Sequence, residues 1–232
     1  MKKILITGSE GLIGRILVGS LGDDYELFGL DKVDTSELRK YYQADISNED
    51  ELNKAWKLIG PIDVVIHLAG DSFVEAGWEY VLPANIVGAK NIFETARQNE
   101  VPKIIFASSG HVVGGYENEL LESGGMIDEM AAVRPDGWYG LSKAFGEDLA
   151  RMYHDQYDMK IYCLRIGAVL ESDQPNTDRD KRIWFSHADL IKTVRAMIES
   201  DVKFGIYFGV SDNKNRIWDN TKLKDDFNIK FN

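Results

Sequence analysis

The chain has 232 residues and one cysteine, Cys163. A lone cysteine cannot close a disulfide within the chain, and no spacing of Cys or His suits a metal. No metal centre is therefore expected, and a reducing cytoplasm is the natural setting. Positive charge is also scarce: 27 Lys and Arg against 38 Asp and Glu leave a net charge of -11. Nucleic acid and anionic membrane surfaces attract basic patches, so neither is the expected partner. Long apolar runs are missing too. After Met1, Lys2 and Lys3 comes a short apolar stretch broken by Thr7 and Gly8, too brief for a signal peptide, and no run approaches membrane-spanning length. There are no internal repeats and no linker. With 44% hydrophobic residues the chain can bury one sizeable core, so residues 1–232 read as one domain.

What is present is a succession of short apolar runs alternating with helical periodicity. Lys3 to Thr7 reads as a strand buried on both faces, followed by Gly8-x-x-Gly11-x-x-Gly14 and a helix from Leu12 to Leu21. Strand, glycine turn and helix in that order make a dinucleotide phosphate site: glycines allow close backbone approach, and the helix N-terminus offers N–H donors and positive potential. Tyr25 to Leu30 reads as the second strand and ends at Asp31, about twenty residues past the glycines, where a carboxylate can accept from an adenosine ribose and repel a 2′-phosphate. That favours NAD. The alternatives are that Asp31 only caps a turn, or that the adjacent Lys32 meets a phosphate.

Ala44, Asp45 and Ile46 follow another strand-like stretch, and Ser47 to Lys57 reads as a helix capped by Ser47. Asp63 to Leu68 is strand-like and runs into Ala69 and Gly70; His67 inside it is expected to be packed in the core. Leu82 to Gln98 reads as one long helix containing Asn85. Lys103 to Ala107 is the next strand, ending in Ser108 and Ser109. Ligands of open parallel sheets gather beyond the carboxyl ends of the strands, which puts Ser109 on the cofactor side. The stretch 110–137 lacks periodicity and reads as a surface excursion at the substrate mouth. His111 within it is open to two readings, a bond to a substrate hydroxyl or a structural bond.

Tyr139 and Lys143 stand four apart on a helix expected over Tyr139 to Tyr157, so they share a face. A phenol beside a fixed cation is pulled toward a useful basicity and can take a proton from an alcohol. Ser109 would complete a hydroxyl, a base and a cation around one substrate oxygen. Lys160 to Ile166 is a further strand and His187 to Ser200 a helix. The tail after Lys203 reads as one short strand and irregular structure.

With Thr7-Gly8-x-x-Gly11-x-x-Gly14, Asp31, Asp45, Leu68-Ala69-Gly70, Asn85, Ser109 and Tyr139-x-x-x-Lys143 in register, the chain resembles the extended short-chain dehydrogenase/reductase superfamily (NAD-dependent epimerase/dehydratase). The fold implied is α/β, a Rossmann-type doubly wound parallel sheet with a small C-terminal substrate-binding appendage, the substrate side coming mainly from 110–137 and 168–232. In that family the tyrosine is the base, the lysine binds the nicotinamide ribose and lowers the tyrosine pKa, and the serine orients substrate. By the same resemblance NAD would lie against Gly8, Gly11, Leu12, Ile13, Gly14, Asp31, Asp45, Ile46, Leu68, Ala69, Gly70, Asn85, Ser108, Tyr139, Lys143 and Ile166.

From Ala107 onward the wording is similar to that of uronate dehydrogenases, bacterial NAD enzymes that oxidise C1 of a uronate to an aldarolactone. The blocks are Ala107-Ser108-Ser109-x-His111, Arg134-Pro135-Asp136-Gly137-x-Tyr139-Gly140-x-Ser142-Lys143, Arg165-Ile166-Gly167 and Trp218-Asp219-Asn220. That resemblance implies sugar contacts from Ser72, Ser109, His111, Tyr139 and Arg179, with Arg179 pairing with the carboxylate. Gly110 and Ala168 depart from it, since those enzymes have Asn and Ser there. A nucleotide-sugar epimerase or dehydratase, or a dehydrogenase of neutral or phosphorylated aldoses, is the alternative. The sequence leaves a homo-oligomer open.

Overall fold

A computed structural model describes residues 1–231. Seven parallel strands form one sheet in the order β3-β2-β1-β4-β5-β6-β7. They are β1 (Lys3–Thr7), β2 (Glu26–Asp31), β3 (Tyr41–Gln43), β4 (Val64–His67), β5 (Lys103–Ser109), β6 (Lys160–Ile166) and β7 (Phe204–Gly209). The strands are nearly all apolar because both faces are covered. Leu5, Val65, Ile104 and Ile161 point to one side, packing under α2 (Glu49–Ile59), α4 (Gly88–Gln98) and α6 (Trp138–Tyr157). Ile4, Ile6, Ile66 and Leu164 point to the other, under α1 (Leu12–Leu21), α8 (His187–Glu199) and α9 (Thr221–Phe227). This is the doubly wound Rossmann-type arrangement. The strand order reverses direction between β1 and β4, which opens a crevice at their carboxyl ends.

Several local expectations are corrected. The helix cap is Asn48, whose side chain accepts from Asp50 and Glu51 N–H at 3.2 and 3.3 Å. The Ser47 hydroxyl instead donates to the Asp45 carboxylate at 2.8 Å. The helix expected from Leu82 begins earlier, as α3 (Trp78–Val81), and passes through a wide π turn, Leu82–Val87, before α4. Pro83 at the start of that turn supplies no N–H to an α-type ladder. The stretch 110–137 is not all surface: Gly110–Tyr116 is a tight 3-10 segment, and its Val112 and Val113 are buried against Phe208 and Trp218. Glu117–Ser123 then forms α5. The polar loop before α8 contains the short helix α7 (Asp180–Ile183). The tail is more regular than expected, with β7 joining the sheet beside β6 and α9 packing behind it.

Cys163 is buried in β6, and burial pushes its thiol well above the usual range. Among the described residues no helix is long and apolar enough to cross a membrane, and no cluster of His, Cys, Asp and Glu has the makings of a metal site.

Candidate active site

A cavity of about 760 Å³ runs along the carboxyl ends of the strands, over the β1–β4 crevice. One end is built by the glycine turn. Gly8 has φ +73° and Gly14 opens directly onto the turn: a Cβ there would lie 2.6 Å from the Ser9 carbonyl oxygen and closer still to that of Gly8. Gly11 is the N-cap of α1, with no side-chain cap bond and no acidic residue in the first turn of the helix. Its N-terminus is thus free of side-chain acceptors, and Gly11 to Gly14 line the cavity, as a pyrophosphate site requires.

Asp31 closes β2 beside this turn, accepting from the backbone N–H of Glu10 at 3.0 Å and of Lys32 at 2.7 Å. Glu10, inside the glycine turn, brings a second carboxylate to the same end, held by the Ser36 hydroxyl at 2.5 Å. Acid at both positions suits ribose hydroxyls and opposes a 2′-phosphate. Glycine turn, uncapped helix and acidic ribose end together fit NAD.

The expected cofactor residues Gly8, Gly11, Leu12, Ile13, Gly14, Asp31, Asp45, Ile46, Leu68, Ala69, Gly70, Ser108, Tyr139, Lys143 and Ile166 all line this one cavity. Asn85 does not. Its side chain is buried and spent on the loop after β4, accepting from Asp71 N–H at 2.7 Å and donating to Asp71 O at 3.0 Å and Ser142 Oγ at 2.9 Å. It shapes the cavity wall through Asp71, which lines it.

At the middle of the cavity, Tyr139, Lys143, Ser109 and His111 converge from α6, the end of β5 and the 3-10 segment. Lys143 is buried, with Nζ donating to Ala107 O at 2.9 Å and lying 5.7 Å from the centre of the Tyr139 ring. Burial holds its pKa down to about 8. Tyr139 departs from the simple expectation that a nearby ammonium lowers its pKa. Burial raises it above 10 and outweighs the Ser109 hydroxyl, which favours the phenolate. The low dielectric that brings these groups together disfavours the charged form of each.

His111 meets Tyr139 edge-on at 5.7 Å, and its Nδ1 lies 2.6 Å from Asp136 Oδ2. An ionised carboxylate only accepts, so Nδ1 carries the hydrogen and a neutral ring keeps Nε2 as an acceptor. His67 is packed in the core as expected, bonded to Thr7 Oγ1 at 2.8 Å and held near pKa 3 by burial.

Ser72 and Arg179 line the far end of the cavity. Arg179 already has a partner: Nη2 and Nε donate to the two carboxylate oxygens of Glu117, the former at 2.9 Å. Trp218 lines the same region, and its ring occupies the space a side chain at Gly110 would need. The missing side chain at 110 is therefore replaced by indole, not by empty space. Glu10, Glu117 and Asp136 are contributors that motif spacing did not mark. Asp136 lay within the quoted Arg134-Pro135-Asp136-Gly137 block, whereas Glu117 sits in a stretch with no pattern.

Beneath the site, Glu147 follows Tyr139 and Lys143 along the same face of α6. It is buried and takes both Nε and Nη2 of Arg165 at 2.8 Å, and the Ser108 hydroxyl at 2.5 Å. This network anchors α6 to β5 and β6.

Comparison with known proteins gives three results that agree. The model of the NAD dependent epimerase/dehydratase family matches residues 4–201. Among curated relatives, uronate dehydrogenase of Pseudomonas syringae pv. tomato is 35% identical over 94% of this chain and 78% of its own. The NAD-dependent glucose-6-phosphate dehydrogenase of Haloferax volcanii is 33% identical over 93% and 87%. Among solved structures, a tyrosine-to-alanine mutant of uronate dehydrogenase from Agrobacterium tumefaciens, complexed with NAD, superposes with a TM-score of 0.89. That match has 32% identity and covers 100% of this chain and 85% of the other.

Proposed function

Because this chain belongs to the NAD dependent epimerase/dehydratase family and is an NAD-dependent dehydrogenase, we propose that it oxidises a free sugar at C1, with Tyr139 as the general base. The substrate class favoured is a uronate, converted to its aldarolactone. The observation that carries the reading is the convergence of Tyr139, Lys143 and Ser109 at the middle of a cavity whose other half has the build of a dinucleotide site.

NAD, when bound, supplies the hydride acceptor. In this reading it rests on the glycine turn and α1, with Asp31 at its ribose. The chain's own residues manage the proton. Ser109 orients the anomeric oxygen, and Tyr139 takes the proton from the anomeric hydroxyl as the C1 hydrogen leaves with its electron pair. Lys143, within reach of the phenol, opposes the charge left on it. His111, fixed by Asp136, offers Nε2 as an acceptor to a ring hydroxyl.

Arg179 supports an acidic substrate, since a guanidinium fork suits a carboxylate. Its engagement with Glu117 supports a second reading, a neutral or phosphorylated aldose. The deciding experiment is NADH formation by the purified protein with NAD and a panel of uronates, neutral aldoses and sugar phosphates. Oxidation of uronates above the others is expected. Turnover of none of them, with tight binding of a nucleotide sugar, would replace this reading by the epimerase one.

A further inference from the structure

The only arginine lining the cavity, among the described residues, is Arg179, and its charge is already answered. Glu117, the first residue of α5, takes the Nε and Nη2 edge of the guanidinium in a side-on fork. Arg179 lines the cavity and Glu117 does not: the Glu117 side chain is 12% exposed and that of Arg179 41%, so the guanidinium is the group the cavity presents. Among the described residues Nη1 has no hydrogen-bond partner, leaving one edge for a ligand. Asp180 and Asp136 add further negative potential at the guanidinium.

An acidic sugar approaching Arg179 thus meets an arginine whose best edge is taken. It must either displace Glu117 or bind end-on with that negative charge still in place. Both cost affinity that a neutral sugar does not lose. We propose that Glu117 is a specificity-determining residue: by occupying Arg179 it sets how strongly the site prefers a carboxylate-bearing sugar over a neutral one. It acts through Arg179 and touches no substrate itself. The inference rests on the reading above, in which the Arg179 end receives the part of the sugar remote from C1.

The test compares wild type with Glu117→Gln and Glu117→Ala. Steady-state oxidation of D-galacturonate and D-galactose is measured with NAD, and binding of D-galactarate, which is not turned over, is measured by calorimetry on the NADH-loaded protein. Removing the charge should raise the acidic-to-neutral ratio of kcat/KM by about tenfold, equivalent to about 1.4 kcal/mol. The change should fall on KM, and galactarate should bind correspondingly tighter. Adding Arg179→Ala to Glu117→Gln should cancel the gain.

If the wild type oxidises no sugar yet galactarate binds more tightly to both Glu117 variants, the oxidation reading fails and the role of Glu117 stands. If sugars are oxidised but neither the ratio nor galactarate binding moves in either variant, the role of Glu117 is refuted alone. Galactarate binding to none of the proteins, or more weakly to both variants, also refutes it.

Discussion

Glu147→Gln is the perturbation whose size follows most directly from the structure. Glu147 and Arg165 are 3% and 1% exposed, and they share two hydrogen bonds of 2.8 Å. Arg165 Nη1 is already buried without a hydrogen-bond partner. An amide at 147 accepts one of the two bonds but leaves the guanidinium charge uncompensated in the interior, a loss of about 3–5 kcal/mol. For a chain of this length, about 2–4 °C is lost per kcal/mol, which predicts a fall in Tm of about 6–20 °C. Circular dichroism during thermal unfolding measures it. Asp155→Asn, which breaks the solvated Arg151–Asp155 pair, is the control and should leave Tm almost unmoved. Replacing both buried partners by Leu and Met should recover part of the loss, because the penalty lies in the stranded charge rather than in the missing pair. A fall of less than about 2 °C for Glu147→Gln would refute the reasoning, since this network would then be no stronger than a surface ion pair.

Two further predictions concern pH. Because burial holds Tyr139 above its usual pKa, its basic form gains with pH through the neutral range, and because Lys143 keeps its charge only below about 8, NADH formation should climb from pH 6 toward 8 and flatten beyond. Initial rates at saturating NAD test this, and a rate that falls from pH 6 to 8 contradicts it. His67 binds its proton near pH 3 when folded and near 6.5 when unfolded. Between those values the unfolded chain holds more protons, so His67 contributes stability that is present above pH 6.5 and lost as pH falls toward 3. Urea unfolding at a series of pH values should show His67→Leu with a weaker acid dependence than wild type; identical slopes would count against the assignment.

The sheet was legible because its signal is local. Lys3–Thr7, Leu12–Leu21 and Lys160–Ile166 fall where apolar runs and helical spacing put them. The glycine turn, Asp31 and the Tyr139–Lys143 pair could be placed because their chemistry demands fixed spacings within one helix or one strand–helix–strand unit. What could not be read depends on contacts between distant segments. Asn85 carries a cofactor motif position but spends its amide on Asp71 and Ser142, a choice made by how α6 packs on the π turn. The departure at Gly110 follows from Trp218, far along the chain, whose ring fills the space a side chain there would need. The segment 110–123 lacks a 3.6-residue period because it begins as a 3-10 turn, and its valines are buried by β7 and Trp218 rather than by a helix of its own. Glu117 is invisible to spacing because its partner is 62 residues away.

The central claim is that one phenol removes the proton that lets a sugar give up hydride. Tyr139→Phe keeps the ring, its packing against His111 and the cavity wall, and deletes only the hydroxyl. With a sugar that the wild type oxidises, the account predicts that NADH formation nearly vanishes, by about 100-fold or more, while NAD affinity measured by calorimetry stays largely intact. A variant that still makes NADH at a substantial fraction of the wild-type rate would contradict it.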